Sequence, residues 1–216
     1  MSSGAHCGRD MSPVPHRSNA RTSTYRTLAN AQSQLPALLA RNWIWWSLPT
    51  PKTTVPTLAS IIEDRPSGVA WHTEDETRRV LRLMTGAHRK KVQDALRMGD
   101  SYVGTIYKRT RPNRNGEMTQ RAEVRFDGIS GCLRTPVGGS SRQTIIVTSN
   151  NVARTRLLSP REAARLMGVP DDYRMPLGYN DAYHLFGDGV VVPVVGWLER
   201  HLLRALAASL SFQQVA

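Results

Sequence analysis

A short polar stretch near the middle of the chain holds side chains that can donate hydrogen bonds to phosphates and base edges. The sequence Ser-Ser-Arg-Gln at 140–143 directly follows Gly138 and Gly139. Two adjacent glycines let a backbone approach a ligand closely, and hydroxyl, guanidinium and amide groups are frequent donors to nucleic acids. The stretch therefore predicts a DNA contact. The alternative is a hairpin turn whose polar residues are incidental.

Basic residues are frequent before this stretch, on segments expected to form strands and turns. Their side chains can neutralise phosphates and release condensed counterions, so they are candidates for DNA contact. These residues are Lys108, Arg109, Arg111, Arg114, Arg121, Arg125 and Arg134. Because Glu117, Glu123 and Asp127 lie among them, we expect some of these cations to form ion pairs instead.

The composition of the whole chain also favours a polyanionic partner. Its 216 residues include 29 Lys and Arg against 17 Asp and Glu, a formal net charge of +12. The alternative is a soluble protein that is merely basic. Cys7 and Cys132 form no CxxC pair, which argues against a disulfide framework or a zinc site and favours a reducing cytoplasm. No apolar run reaches the ~18 residues of a membrane helix, so no membrane association is expected.

The elements that must position these residues can be predicted from periodicity, beginning with helices. Leucines along 25–41 indicate a helix interrupted at Pro36, and Trp43, Trp45 and Trp46 are expected to form an aromatic cluster after it. Residues 57–64 are typical of a short helix or strand.

A pair of basic amphipathic helices is predicted over 73–98. Thr73 and Glu76 fit a capping box at its beginning, and Gly86 is expected to separate the two helices. Strands are then predicted over 102–107, over 122–126, where apolar residues alternate with polar ones, and over the apolar run 144–147, with turns at 112–116 and 128–131 between them.

The C-terminal part is predicted to be helical again. Ser159 and Glu162 form a second capping box, and a helix from there should end at Gly168. A final helix is expected over 191–206. Its apolar face, which includes Val194, Trp197 and Leu198, should be exposed unless a partner covers it.

Two blocks in this region are specific enough to suggest a family. The first is Arg-Leu-Leu-Ser-Pro-Arg-Glu-Ala-Ala-Arg-Leu-Met-Gly-Val-Pro-Asp-Asp-Tyr at 156–173, and the second is Tyr-Asn-Asp-Ala-Tyr-His-Leu-Phe-Gly-Asp-Gly-Val-Val-Val-Pro-Val-Val at 179–195. In sequence, order and separation they resemble the ninth and tenth conserved motifs of DNA cytosine-5 methyltransferases. The stretch 131–143 is similar to the recognition loop that precedes the ninth motif in that family.

The resemblance implies particular DNA-binding and cofactor-binding residues. Implied DNA contacts are Arg109, Arg111, Arg125, Arg134, Thr135, Gly138, Gly139, Ser140, Ser141, Arg142 and Gln143. The tenth motif implies contact with the methyl donor S-adenosylmethionine through Gly187, Asp188, Gly189 and Val190. The motif usually has Asn where this chain has Asp188. The carboxylate keeps an acceptor oxygen and adds a negative charge that a cationic sulfonium would tolerate.

The family's remaining motifs are not found in this sequence. Members use a Gly-rich loop to bind S-adenosylmethionine, a Pro-Cys dipeptide for the nucleophile, and a Glu-Asn-Val segment at the pyrimidine ring, but this sequence has no Phe-x-Gly-x-Gly and no Pro-Cys. Cys132 is therefore expected to be a buried structural thiol rather than a nucleophile. Arg161 and Glu162 are expected to be structural rather than catalytic.

The resemblance thus predicts an α+β fold. It would consist of a small, partly β target-recognition lobe and the C-terminal helices of an incomplete α/β methyltransferase domain that uses S-adenosylmethionine. The expected divisions are a disordered segment at 1–24, a target-recognition region at 25–155 and the C-terminal motifs at 156–216.

Three accounts of the function remain open at this point. The chain could be the recognition subunit of a split bacterial methyltransferase, with double-stranded DNA and a second polypeptide as partners. It could be an inert truncated remnant, or a non-enzymatic DNA-binding module. In the first account, most of the S-adenosylmethionine site would belong to the other polypeptide.

Overall fold

The structure is a computed structural model that describes residues 19–46, 48–52, 55–113, 115–134 and 142–213. By its internal contacts the chain divides into two compact units, Met1–Pro51 and Lys52–Ala216.

The first unit contains two helices, α1 (Asn19–Ser33) and α2 (Ala37–Ala40), separated at Pro36 as the sequence predicts. Helix α1 begins within the segment 1–24, for which no ordered structure is expected from composition. After α2, the rings of Trp43 and Trp45 lie 5.5 Å apart between centroids, and the Trp45 indole donates a hydrogen bond to Gln32 Oε1 at 2.9 Å. This contact confirms the aromatic cluster for two of its three tryptophans.

Three helices begin the second unit: α3 (Leu58–Ile61), α4 (Glu74–Arg82) and α5 (Gly86–Arg97). The capping box of α4 is complete, because the Thr73 hydroxyl accepts from the Glu76 amide and the Glu76 carboxylate accepts from the Thr73 amide. The predicted break between the two helices is confirmed, although Gly86 begins α5 rather than ending α4.

Four antiparallel strands follow: β1 (Tyr102–Pro112), β2 (Met118–Arg125), β3 (Thr144–Ser149) and β4 (Val152–Leu157), in the order β2-β1-β3-β4. The first three extend the predicted strands. Strand β4 is not predicted by the sequence patterns, which treat 156 onward only as a conserved motif. Its hairpin with β3 turns at Asn150 and Asn151, both with positive φ, a conformation that asparagine tolerates better than most residues.

The C-terminal part contains α6 (Pro160–Leu166), α7 (Tyr179–Asp188), α8 (Val192–Leu198), a π-helical turn (Glu199–Leu203) and α9 (Arg204–Gln213). Helix α7 is not predicted as a helix by the patterns. Helix α6 ends at Gly168 as expected, where φ is +72° and a Cβ atom would overlap the Pro193 ring. Glycine is thus required there both by the backbone conformation and by the close approach of α8.

Helices cover both faces of the sheet. Because adjacent residues of a strand point to opposite faces, two neighbouring residues of β3 belong to different cores. Ile145 belongs to a core with residues of α3, α6 and α7, and Ile146 belongs to a core with residues of α4 and α5. The observed fold is therefore α+β, as predicted. The recognition strands β1 and β2 share one sheet with β4, which leads directly into the ninth-motif helix α6.

A buried ion pair joins these parts. Arg156 of β4 and Glu162 of α6 have fully buried side chains and form two hydrogen bonds, at 2.7 and 2.6 Å. Glu162 also accepts from the backbone amides of Ser159 and Glu63, and the Arg156 guanidinium donates to the Glu63 carbonyl. The expected structural role of Glu162 is confirmed. The proposed division at 155/156 falls inside β4 and remains a prediction.

Candidate nucleic-acid interface and methyl-donor motif

A cleft of about 770 Å³ lies beside the outer half of β1, and most of its charged side chains are cationic. The cations that line it are Lys91, Lys108, Arg109, Arg111, Arg125, Arg134 and Arg142, and Glu123 is the one carboxylate named among its described lining residues. Such a concentration of one charge sign produces a local potential that attracts polyanions. The fold thus brings together six of the cations that the sequence singles out for DNA contact: Lys108, Arg109, Arg111, Arg125, Arg134 and Arg142.

Two of these cations form the ion pairs expected from the interspersed acids. The Arg125 guanidinium donates to both oxygens of Asp127, and this pairing lowers the pKa of the Asp127 carboxyl below its usual value. Arg109 lies 3.7 Å from Glu123 and also stacks over the Tyr107 ring at 5.8 Å. Both pairs are solvent-exposed, so each guanidinium can exchange its carboxylate for a phosphate at small cost.

The recognition loop is only partly described. Thr135, Gly138, Gly139, Ser140 and Ser141 lie outside the described residues, and so does Arg114. Gly131, where the loop begins, packs so closely on the Tyr107 ring that a Cβ atom would overlap it.

The two loop residues after the undescribed part have structural contacts. Gln143 is only 4% exposed, and its side-chain amide donates to the Ile106 carbonyl at 3.2 Å. Arg142 lines the cleft, but its guanidinium also donates to Asn180 Oδ1 and stacks over the Tyr179 ring. DNA contact by these two residues remains a prediction.

The expectation that Cys132 is a buried structural thiol is wrong. Cys132 is exposed and its thiol lies on the wall of the cleft, where it donates to the Leu133 carbonyl at 3.4 Å. The small apolar character of cysteine suggested burial, but it is the neighbouring Leu133 that packs against a core, while Cys132 lines the cleft.

Two cleft residues are not singled out by the sequence patterns. Lys91 and His88 both come from α5, and the Nδ1 atom of His88 accepts a hydrogen bond from the Val124 amide at 3.1 Å. The basic character of α5 is visible in the sequence. Its proximity to β1 is not, because it depends on tertiary packing of α5 against β2.

The predicted methyl-donor residues lie together at the end of α7. Gly187 and Asp188 complete the helix and Gly189 caps it, whereas Val190 is 67% exposed. The backbone just beyond is fixed, because the Val192 amide donates to the Met167 carbonyl at 2.9 Å. The four residues form an open surface with one carboxylate. This donor set suits one side of a cationic sulfonium ligand but does not enclose it.

A family model for C-5 cytosine-specific DNA methylases matches residues 23–204. The chain belongs to this family. The match confirms the resemblance to this family, and the matched residues include β1, β2 and the helices before them. Members of this family use S-adenosylmethionine as the methyl donor.

Curated relatives support the assignment. The type II methyltransferase M1.ScrFI of Lactococcus lactis subsp. cremoris is 26% identical over 174 residues, which are 78% of this chain and 36% of that protein. M.HpaII of Haemophilus parainfluenzae is 27% identical over 133 residues, 54% of this chain and 37% of that protein. M.HhaI of Haemophilus parahaemolyticus is 38% identical over 60 residues, 28% of this chain and 17% of that protein. The chain thus spans less than two fifths of each of these methyltransferases.

In the described part of this family member, no group of three or more His, Cys, Asp or Glu side chains could hold a metal ion. Within the same residues, no helix has the length and apolar character needed to cross a membrane.

Proposed function

We propose that this chain is the DNA-recognising and C-terminal part of a DNA (cytosine-5)-methyltransferase and that it binds duplex DNA in the basic cleft. The observation that carries the proposal is the convergence of seven cations, from α5, β1, β2 and the recognition loop, on one cleft in a chain of this family. Each phosphate neutralised there would release a counterion, and polar groups of the loop would read base edges.

Catalysis in this proposal depends on residues that are not in this sequence. A cytosine must be flipped out of the duplex before it can react, and in this family a cysteine then adds to C6 of the ring. S-adenosylmethionine supplies the methyl group that is transferred to C5. Because the sequence contains no Pro-Cys dipeptide and no Phe-x-Gly-x-Gly, the nucleophile and most of the donor site would come from further protein.

The methyl-donor motif would complete that site from one side. Asp188 at the end of α7 is exposed and would place a carboxylate near the sulfonium, while Gly187, Gly189 and Val190 would approach the donor through their backbones. Beyond the motif, Val194 and Val195 are exposed, whereas Trp197 and Leu198, which were expected to be exposed with Val194, are half-buried. The exposed valines would pack against the remainder of the catalytic domain.

The type II relatives favour a role in bacterial restriction-modification, in the cytoplasm where DNA is accessible. In that setting the chain would act as a methyltransferase only together with the catalytic motifs, on a second polypeptide or on further sequence of the same protein. The second candidate is a DNA-binding module without enzymatic partners, which the cleft would also support. An inert remnant is the third, and it would show neither activity.

Transfer of labelled methyl from S-adenosylmethionine to duplex DNA tests the catalytic part of the proposal. The purified chain alone should give no cytosine-specific incorporation, and adding the family's N-terminal catalytic region, from the adjacent reading frame or a relative, should produce it. Incorporation by the chain alone would contradict the proposal and make Cys132 the suspected nucleophile. DNA binding without incorporation in any combination would favour the non-enzymatic module.

A further inference from the structure

Helix α7 contacts the recognition loop as well as ending in the methyl-donor motif. The hydroxyl of Tyr183 accepts a hydrogen bond from the backbone amide of Gln143 at 3.0 Å, and both residues are buried. One turn earlier, Asn180 and the ring of Tyr179 hold the guanidinium of Arg142. The last two residues of the loop are thus fixed by three side chains of a single helix.

Gln143 is the point where several elements meet. Its carbonyl accepts from the Leu158 amide at 2.9 Å, just before α6, and its side-chain amide donates to Ile106 of β1. The hydrogen bond from its own amide to Tyr183 ties Gln143 itself to α7. The tyrosine hydroxyl is held neutral, because burial raises the pKa of Tyr183.

The other end of the same helix is the methyl-donor motif. Tyr183 and Gly187 are one helical turn apart, and Phe186 between them is buried in the core with Met167. A short helix packed in this way moves as a rigid body, so a displacement of its first turns also displaces its last. Arg142 meanwhile belongs both to the α7 contact and to the lining of the basic cleft.

We infer that Tyr183 and Asn180 are positioning residues that fix the end of the recognition loop against α7 and so couple DNA contact in the cleft to the methyl-donor motif. The inference rests on the proposed DNA binding. Neither residue lines the cleft among its described residues, and their effect on DNA would be indirect, through Arg142 and Gln143. DNA bound near the first turn of α7 would then favour the position of the methyl-donor motif that binds S-adenosylmethionine, and the reverse would hold as well.

The chain offers a matched pair of variants for the test. Tyr183→Phe removes the hydroxyl that accepts from Gln143, and Thr77→Val removes a buried hydroxyl that shares a hydrogen bond with Thr155 at 3.0 Å, between α4 and β4. Phenylalanine keeps the ring that stacks on Tyr179 at 5.8 Å between centroids, and valine keeps the shape of threonine, so each variant should retain its packing. Comparable thermal stability of the two variants would make their other properties directly comparable.

Hydrogen exchange of the Gln143 amide in the full-length chain is the first measurement. In Tyr183→Phe it should be about tenfold faster than in Thr77→Val, the effect of losing one buried hydrogen bond at this amide. Affinity for a duplex oligonucleotide, measured by fluorescence anisotropy at one salt concentration, should fall severalfold in Tyr183→Phe and in Asn180→Ala but not in Thr77→Val. Equal exchange of this amide in Tyr183→Phe and Thr77→Val would overturn the inference, and so would equal DNA affinity.

The same data separate this inference from the proposed function. If the unmodified chain fails to bind DNA, the proposed function is wrong, and the coupling inference fails with it even if the exchange rates differ. If the chain binds DNA and the variants do not differ, the proposed function stands and only the positioning role is lost.

Discussion

At the scale of single residues, the most consequential interaction is the buried pair of Arg156 and Glu162. Neither side chain has measurable exposure, and the carboxylate accepts four hydrogen bonds, from the Arg156 guanidinium and from the amides of Ser159 and Glu63. A buried charge is tolerated only when it is paired and hydrogen-bonded in this manner. The pair lies within the block that resembles the ninth motif, and it connects β4, α6 and the segment after α3.

Removing one partner should therefore be costly. We predict that Glu162→Ala lowers the free energy of unfolding by about 3–5 kcal/mol, because the Arg156 charge would remain buried and unpaired. Urea denaturation followed by circular dichroism measures this loss. Glu74→Ala is the control, since it removes the exposed partner of Arg78 on α4 and should have a far smaller effect. Similar losses in the two variants would contradict the assigned role of the buried pair.

The exposed thiol of Cys132 makes occupancy of the cleft measurable. In a Cys7→Ser background, alkylation of Cys132 by iodoacetamide should slow severalfold when duplex DNA is added, because DNA in the cleft would cover this thiol. A cysteine introduced at Glu74, an exposed position on α4, should react at the same rate with and without DNA. Unchanged alkylation of Cys132 at saturating DNA would place the DNA elsewhere.

At the scale of elements, the helices and strands that were predicted are those with a local sequence pattern, and those that depend on tertiary contacts were not predicted. Both capping boxes are complete in the structure, and the strands that contain the alternating segment 122–126 and the apolar run 144–147 are as the sequence predicts. Strand β4 was missed because its charged residues interrupt that alternation: Arg156 is buried through its ion pair, and Arg154 stacks on the Trp71 ring at 4.3 Å. Helix α7 was missed because no side chain caps it. Its position depends on tyrosine contacts with distant residues.

The turn between β3 and β4 has a sequence feature, two consecutive asparagines, that is typical of a two-residue hairpin. Asn150 and Asn151 have φ of 49° and 61° and join Ser149 to Val152 as a two-residue hairpin. We predict that Asn151→Gly leaves the unfolding free energy equal or higher, whereas Asn151→Val lowers it by about 1–2 kcal/mol, since β-branched residues resist positive φ. Urea denaturation of both variants checks this. Equal stability of the valine and glycine variants would mean that the turn adopts another conformation.

At the scale of the whole molecule, the structure shows where part of the positive charge excess lies, namely in the cleft beside β1. Net charge alone predicts a polyanionic partner without a site. The predicted strands, turns and recognition loop single out six of the seven cleft arginines and lysines. Lys91 could not be predicted because α5 reaches the cleft only by packing on the sheet. The burial of Gln143 and the exposure of Cys132 were also unpredictable, since both depend on how the loop ends meet β1 and α7.

The salt dependence of duplex binding by the full-length chain tests the central claim most directly. Two double variants remove equal charge: Arg109→Gln with Arg111→Gln inside the cleft, and Arg79→Gln with Arg82→Gln on the exposed surface of α4. The logarithm of the affinity should fall linearly with the logarithm of salt concentration, and the cleft variant should reduce the slope by about two, one for each lost phosphate contact. The α4 variant should leave the slope unchanged. Equal slopes for the two variants, or no binding at low salt, would contradict the account that this cleft is the DNA-binding surface of a cytosine-5 methyltransferase.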